Sequence, residues 1–490
     1  MSSTPEPAER AYVPTPIEDL LLRAKRRSAA IRRHRLLGTG ACVTAVLALV
    51  LGLVLIPGES AGPQTSAGKP GKIFISDRIG SAYELSADEP PSSPAPRAVA
   101  KAVENGEVGF SLELLNNLAA ASDSNGSTNE LVSPSSLATA LAMLELGASG
   151  STEQGIASAL HTAGLSATEQ AEGWYSLAAL LARETSTSAA NLKRVPELDV
   201  ANSLWVQQNF AVLPAFVRAL ESEFRTGVWQ VNFRNDLGAA VDAINQWTSE
   251  HTKGLIKQLF SPGALTPATV LVLADAVFFH ADWATRFESA TNQQLFYLAA
   301  GGSENVPFLS SEPVNSNKAL TLAVSRTARY VAVEIPYAGK KLSALVVMPT
   351  QPSLPQFVSS LSSSSLRQIV SALSLERVQF SMPTFTLRSD NTLNQTLSAM
   401  GMSKAFEAGA DFTGINRTVP LEVETVEQHA YLQVTPKGTT AAAATGIGVI
   451  ATATQAGDQP IVIDHPFLFL LRDDATGAIL FESMVENPAS

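Results

Sequence analysis

The order in which hydrophobic periodicity changes along this chain restricts its fold more than any other feature. Early segments repeat apolar residues at helical spacing. VGFSLELLNNLAAA (Val108 to Ala121) is one, and Ser133–Pro134 opens another, SSLATALAMLELGASG, which its glycines end. Later segments carry strand signals. VLVLADAVFF (Val270 to Phe279) is an apolar run of strand length, and VEIPYAGKKLSALVVMP (Val333 to Pro349) reads as two strands around a turn. VQFSMPTFTL (Val378 to Leu387), LEVETVEQHAYLQV (Leu421 to Val434), PIVIDHPFLFLLRD and AILFESMVENP continue the pattern to the C-terminus. Helices gather early and strands late, which predicts an α+β fold rather than an alternating α/β one.

The chain has 490 residues, 45% of them hydrophobic, enough for a sizeable core. No internal repeat or second linker interrupts residues 98–490, which read as one domain. Upstream, the composition changes twice. Leu36 to Pro57 (LLGTGACVTAVLALVLGLVLIP) is uncharged and about long enough to cross a bilayer as a helix. It follows Arg23, Lys25, Arg26, Arg27, Arg32, Arg33 and Arg35, and the next charge is Glu59. The positive-inside rule predicts a cytoplasmic tail at 1–35, a signal anchor at 36–57 and an extracellular remainder. Cleavage as a signal peptide would instead release a secreted domain. Gly58 to Arg97, ending in DEPPSSPAPR, reads as a flexible tether.

Several function classes drop out. A net charge of −11 argues against a nucleic-acid partner. The single cysteine, Cys42, rules out an internal disulfide, and that suits a reducing compartment and a disulfide-free bacterial export equally well. GESAG (Gly58 to Gly62) matches the G-x-S-x-G nucleophile elbow but lacks the strand-to-helix turn this chemistry needs. His34, His161, His251, His280, His429 and His465 are scattered without metal-ligand spacing. No metal, cofactor or enzymatic activity is expected.

One stretch has no chemistry of its own. GTTAAAATGIGVIATATQAGDQP (Gly438 to Pro460) is small, uncharged until Asp458, and free of Pro until its last residue. Such a segment can zip into a closed sheet, which tolerates neither Pro nor bulk on its inward face. Strand alternation puts Thr439, Ala441, Ala443 and Thr445 on one face, small throughout. A plain Ala/Thr-rich surface loop is the bland alternative.

Many segments in order resemble the serpins, the large serine-protease-inhibitor family, in a bacterial-like form. They include SPSSLATALAMLELGASG, ANSLWV, INQWTSEHTKGLI, DAVFFHADWATRF, VEIPY, MPTFTL, LSAMGMSKAFEAGADFTGI, KGTTAAAATG and HPFLFLLRDDATGAILF, between about residues 105 and 489. The resemblance implies helices around three β-sheets, with an exposed reactive-centre loop at about 438–460. By the family mechanism, a serine protease attacks the loop and forms a covalent acyl-enzyme. The cut loop then inserts into the central sheet and deforms the enzyme, so the inhibitor is a suicide substrate and a monomer.

Carried over by resemblance, Gly438, Thr439, Ala441, Ala443 and Thr445 form the loop hinge. Ser133, Ser136 and Asn245 form a polar cluster controlling sheet opening, and Trp283 packs where the loop enters. The family's count from the hinge puts the scissile bond at Thr452–Ala453, whereas counting back from Pro466 puts it near Gln455–Ala456. Gln428 stands where many members have His, Pro436 replaces a usual Glu, and Thr440 replaces another. The stretch offers no Lys, Arg, Phe, Tyr or Trp between Gly438 and His465, which points to elastase-like or subtilisin-like proteases. The rival class is a non-inhibitory serpin-fold binding or scaffold protein at the cell surface.

Overall fold

The computed structural model describes residues 72–90, 92–121, 128–186, 196–289, 293–311, 320–439 and 460–489. The expected signal anchor, at 36–57, lies outside them. Among the described residues no helix is long and apolar enough to cross a membrane.

An eight-stranded sheet organises the fold. Its strands are β1 (Ile73–Ile79), β2 (Ala82–Ala87), β3 (Glu197–Gln207), β4 (Val228–Val231), β5 (Leu271–Asp282), β6 (Phe385–Thr392), β7 (Thr425–Thr435) and β8 (Gly438–Thr439). Their spatial order is β1-β2-β4-β3-β5-β8-β7-β6, and β5 also pairs directly with β7. A seven-stranded sheet takes in Tyr330–Pro336, Leu342–Pro349, Phe467–Asp473 and Ile479–Val485, and a four-stranded sheet ends at Ile461–Val462. The helices gather early and the strands late, as periodicity predicts.

β5 shows why the sheet is buried on both faces. Leu271, Leu273, Val277, Phe279 and Ala281 enter the main core. Val272, Ala274 and Ala276 alternate onto the opposite face, with Ile244 and Trp247 of helix α4 (Leu237–His251). On the main-core face α2 (Pro134–Glu145) packs against β3 and β5, and α1 (Arg97–Ala121) packs against α2. Pro134 occupies the first turn of α2, where its missing N–H costs nothing.

Of the expected tether at 58–97, residues 58–71 lie outside the described residues, whereas Ile73–Ile79 and Ala82–Ala87 are strands of the central sheet. Lys69–Ser490 is one compact unit, and β1 and β2 within it form an antiparallel hairpin closed by Gly80–Ser81. Gly80 takes a φ of 57°, which glycine adopts at no steric cost. The Pro- and Ser-rich flank hid a short apolar-containing segment, IFISDRIGSAYELSA, in which Phe74 and Ile75 stay exposed while Ile79, Ala82 and Ala87 are buried. Ile79 and Ala82 join the α4-side core. Tyr83, Glu84 and Leu85 pair with Gln230, Trp229 and Val228, and the Tyr83 hydroxyl bonds Gln230 Oε1 at 2.5 Å. Beyond β2, the Arg225 guanidinium donates to Glu89 O (3.0 Å) and Ala95 N to Ser176 Oγ (2.7 Å).

The hairpin docks so closely that Gly227 has no room for a side chain. A Cβ there would lie 2.0 Å from Leu85 O. Gly227→Ala is therefore expected to strip β2 from β4 at an overpacking cost of about 1–3 kcal/mol. Hydrogen exchange should show amides of 82–87 losing about ten- to hundredfold protection. Unchanged protection would count against this docking.

Candidate functional site

The central sheet is split at one end. β5 and β7 pair as parallel neighbours from Thr425↔Val272 to His429↔Ala276. Farther along, β8 sits between them, antiparallel to both: Gly438 faces Asp282 and Thr435, and Thr439 faces Ala281 and Val434. The chain reverses from β7 into β8 over Pro436 and Lys437. Pro436 needs no amide hydrogen there, and its carbonyl accepts from Phe287 N at 2.9 Å.

The wedge is tight. A Cβ on Gly438 would fall 2.0 Å from Ala281 O and 2.6 Å from Asp282 Cα, so only glycine fits. The Thr439 side chain is buried, and its hydroxyl shares a 2.7 Å hydrogen bond with the Tyr337 phenol. Burial holds that phenol well above its usual pKa, so it stays protonated and can donate. Trp283 stacks on Tyr337 with centroids 4.4 Å apart, packs edge-on to Phe287, and donates its indole N–H to Thr435 O at 2.8 Å. Trp283 thus lies where β8 leaves β7. Ala441, Ala443, Thr445, Thr452, Ala453, Gln455 and Ala456 lie outside the described residues.

A polar cluster lies at the closed end, on the main-core face. Ser133 N donates to Gln428 Oε1 (2.8 Å), and Gln428 Nε2 returns a bond to Ser133 O (2.9 Å) while also donating to Asp275 Oδ2. The Ser133 hydroxyl reaches Leu480 O at 2.6 Å. The Ser136 hydroxyl meets Asp275 Oδ1 and lies 3.2 Å from Asn202 Oδ1, whose amide nitrogen donates to Ser136 O at 2.9 Å. Asn202, Asp275 and Gln428 are register partners across β3, β5 and β7. Burial pushes the Asp275 carboxyl up to about 7.

The cluster joins Ser133 and Ser136, but not Asn245. Asn245 belongs to α4, which covers the opposite face of the sheet. It fastens the following segment, accepting from Leu259 N (2.7 Å) and Phe260 N (2.9 Å) and donating to Phe260 O (2.9 Å). Facing the serines is Asp275, with Asn202 and Gln428. The sequence carried a signal for it, since Asp275 is the one charge in VLVLADAVFF and falls on the odd, core-facing set of β5. Among the described residues, no group of three or more His, Cys, Asp or Glu could hold a metal.

Comparison with known proteins covers almost all of this architecture. The family profile described as Serpin (serine protease inhibitor) matches residues 105–488. An uncharacterized serpin-like protein of Thermococcus kodakarensis is 30% identical over 79% of this chain and 86% of its own length. The leukocyte elastase inhibitor of Sus scrofa is 29% identical over 77% of this chain and 97% of its own. Among solved structures, native protease nexin-1 with heparin is 26% identical, with a TM-score of 0.68, covering 79% of this chain and 100% of that one. The thermophilic serpin tengpin in its native state has the same TM-score at 24% identity, covering 81% and 97%, a likeness of fold. The hairpin β1–β2 precedes the matched residues. Over residues 105–488, which hold both the wedge and the polar cluster, the chain belongs to the serpin family.

Proposed function

We propose that this protein is a protease inhibitor working by loop cleavage and insertion, as a suicide substrate rather than an enzyme. The observation that carries this reading is β8, a two-residue strand already wedged between β5 and β7 at the start of a Pro-free, small-residue segment. Continuing its register, each further residue pairs one step deeper along both neighbours. No bulky side chain obstructs this path, because Thr439, Ala441, Ala443 and Thr445 are the residues that turn to the core face on insertion. Thr445 arrives level with Asp275 and Gln428, where its hydroxyl replaces the bond between them. Each added ladder bond contributes about 1 kcal/mol net, with burial of apolar surface on top. The uncleaved protein is then held by a kinetic barrier.

In the covalent step, the serine hydroxyl of the target enzyme adds to the Thr452 carbonyl. The Thr452–Ala453 amide breaks, Ala453 leaves as a protonated new N-terminus, and Thr452 remains as an ester on the enzyme. Gln455–Ala456 is the alternative bond. The small and β-branched Val449, Ile450, Ala451, Thr452 and Ala453 suit a shallow elastase-like pocket or a broad subtilisin-like cleft. The relative named as a leukocyte elastase inhibitor supports that choice. The domain is anchored by residues 36–57 with its inhibitor body outside the cell, a reading carried by the arginine-rich tail before that run. A second reading, a non-inhibitory binding protein, is motivated by the fold likeness (TM-score 0.66) to thyroxine-binding globulin in complex with thyroxine. Marked heat-resistance after loop cleavage would separate the inhibitor from it.

Thr439→Arg tests the mechanism. A guanidinium in the buried site beside Tyr337 costs several kcal/mol, so insertion should stall and the protease should cut the variant and leave active. An unchanged stoichiometry of inhibition would sink the insertion reading. A protease panel tests the bait: SDS-stable complexes are expected with elastase-like or subtilisin-like enzymes and none with trypsin. Mass spectrometry of the released C-terminal peptide should find it beginning at Ala453, or no later than Ala456. A start outside Ala451 to Ala456 would overturn the assignment. For topology, protease added to intact cells should release the domain by cutting between Gly58 and Lys72, and protection until lysis would refute the anchor.

A further inference from the structure

Insertion past β8 requires the direct pairing of β5 and β7 to open, and the Gln428–Asp275 bond crosses that seam. Asp275 is fully buried, and its side-chain partners, Ser136 and Gln428, are both neutral. The elements packed around it supply no charge on its face. α2 presents Ser136 and, next to it, Ser135, whose hydroxyl donates to Ile479 O (2.6 Å) and lies 2.9 Å from the buried Glu107 carboxyl, which burial keeps neutral by pushing it up to about 8. β3 presents Asn202. On β7 the flanking Glu427 and His429 alternate to the opposite face, where His429 lies 3.0 Å from Asp390.

Counting protons in this cluster separates the two charge states. Ser136 Oγ has one hydrogen and sits between two acceptors, Asp275 Oδ1 and Asn202 Oδ1. The Asn202 amide is oriented by its bond to Ser136 O, so its oxygen faces the hydroxyl. If Asp275 is ionised, Ser136 must donate to it, and Asn202 Oδ1 then faces the hydroxyl's lone pairs. If Asp275 is neutral, its own O–H donates to Ser136, Ser136 donates on to Asn202, and Gln428 still donates to Asp275 Oδ2. Only the neutral acid satisfies every group while the seam is shut.

We infer that Asp275 is a proton-dependent stitch across the β5/β7 seam: neutral, it holds the sheet shut, and ionised, it favours parting of the strands. Opening admits water or a hydroxyl to the carboxylate and restores its solvation, so opening releases a proton. Burial raises the carboxyl to about 7 in the closed sheet, so the stabilisation is complete below the ordinary carboxylate range and is lost as pH rises through about 7. The functional meaning of this seam rests on the inhibitor reading, whereas its proton dependence stands on the cluster alone. An inhibitor so built inserts its loop more readily at neutral and alkaline pH and is held back in acid.

Hydrogen exchange on the uncleaved full chain tests the stitch without any protease, so its failure and that of the inhibitor reading are distinguishable. Protection of amides in 272–276 and 425–429, corrected for intrinsic exchange, is compared at about pH 5.5 and about pH 8. Wild type should lose up to about thirtyfold protection across that range, the limit for one proton released. Asp275→Asn copies the neutral acid, with an N–H toward Ser136 and an oxygen toward Gln428. Its seam should stay protected, with no slope from this site. Other buried carboxyls raised by burial, Glu107 and Glu145 to about 8 and Glu486 to about 7, are retained in the variant and cancel in the difference. A wild-type slope in Asp275→Asn would overturn the inference. Asn202→Ala gives a second test if that variant does not fold. Removing the acceptor that only the neutral acid satisfies should move the midpoint of the pH transition downward, and an unmoved midpoint would also overturn it.

Discussion

The rest of the structure depends on an incomplete contact between two strands. β5 and β7 are joined by a parallel ladder at one end and held apart by Gly438 and Thr439 at the other. In the proposed mechanism this gap is where a further strand enters, and extra ladder bonds and buried side chains then make the filled state lower in free energy. The groups that bridge the closed end are above all Asp275, Gln428 and Ser133. They join α2, β5 and β7 at one point beneath the sheet.

The wedge and the cluster do opposite work with few side chains each. At the open end, glycine is required because the backbone of β5 approaches within reach of a Cβ, and the threonine that follows finds its partner in Tyr337. Trp283 keeps that partner in place by stacking on its ring. At the closed end, polar groups are buried in an apolar face, where each must find a partner or carry a desolvation cost. A carboxyl there is a costly choice. The inferred stitch would give it a use, because its two protonation states are satisfied unequally by the same neighbours.

The hairpin β1–β2 adds to the side of the sheet remote from the seam. It extends the sheet past β4, supplies Ile79 and Ala82 to the core under α4, and ties the entering chain to α3 (Pro214–Phe224) through the bond between Ser86 Oγ and Glu221 Oε2 (2.7 Å). It lies before the residues matched to the family, so this chain carries it in addition to the matched part.

Much of this was legible in the one-dimensional chain because it depends on local periodicity and on composition. The helical start at Ser133–Pro134, the strand pair around Tyr337, the buried run of β5 and the inert character of Gly438 to Pro460 all follow from side-chain size, alternation and the absence of Pro. The hairpin was hidden because its strands do not alternate and lie in a Pro- and Ser-rich stretch, so their partner strand rather than their own pattern makes them strands. The lone charge in VLVLADAVFF singles out Asp275, but which residues join it in the polar cluster was decided by tertiary structure. Asn245 and Asp275 are both polar residues in apolar surroundings, and nothing local tells which face of the sheet each serves. α4 packs on one face and α2 on the other, so Asn245 binds its own neighbouring loop while the odd-numbered set of β5 carries Asp275 down to Ser136. Whether a polar residue meets a partner across a sheet is a matter of long-range register, which no window of sequence contains.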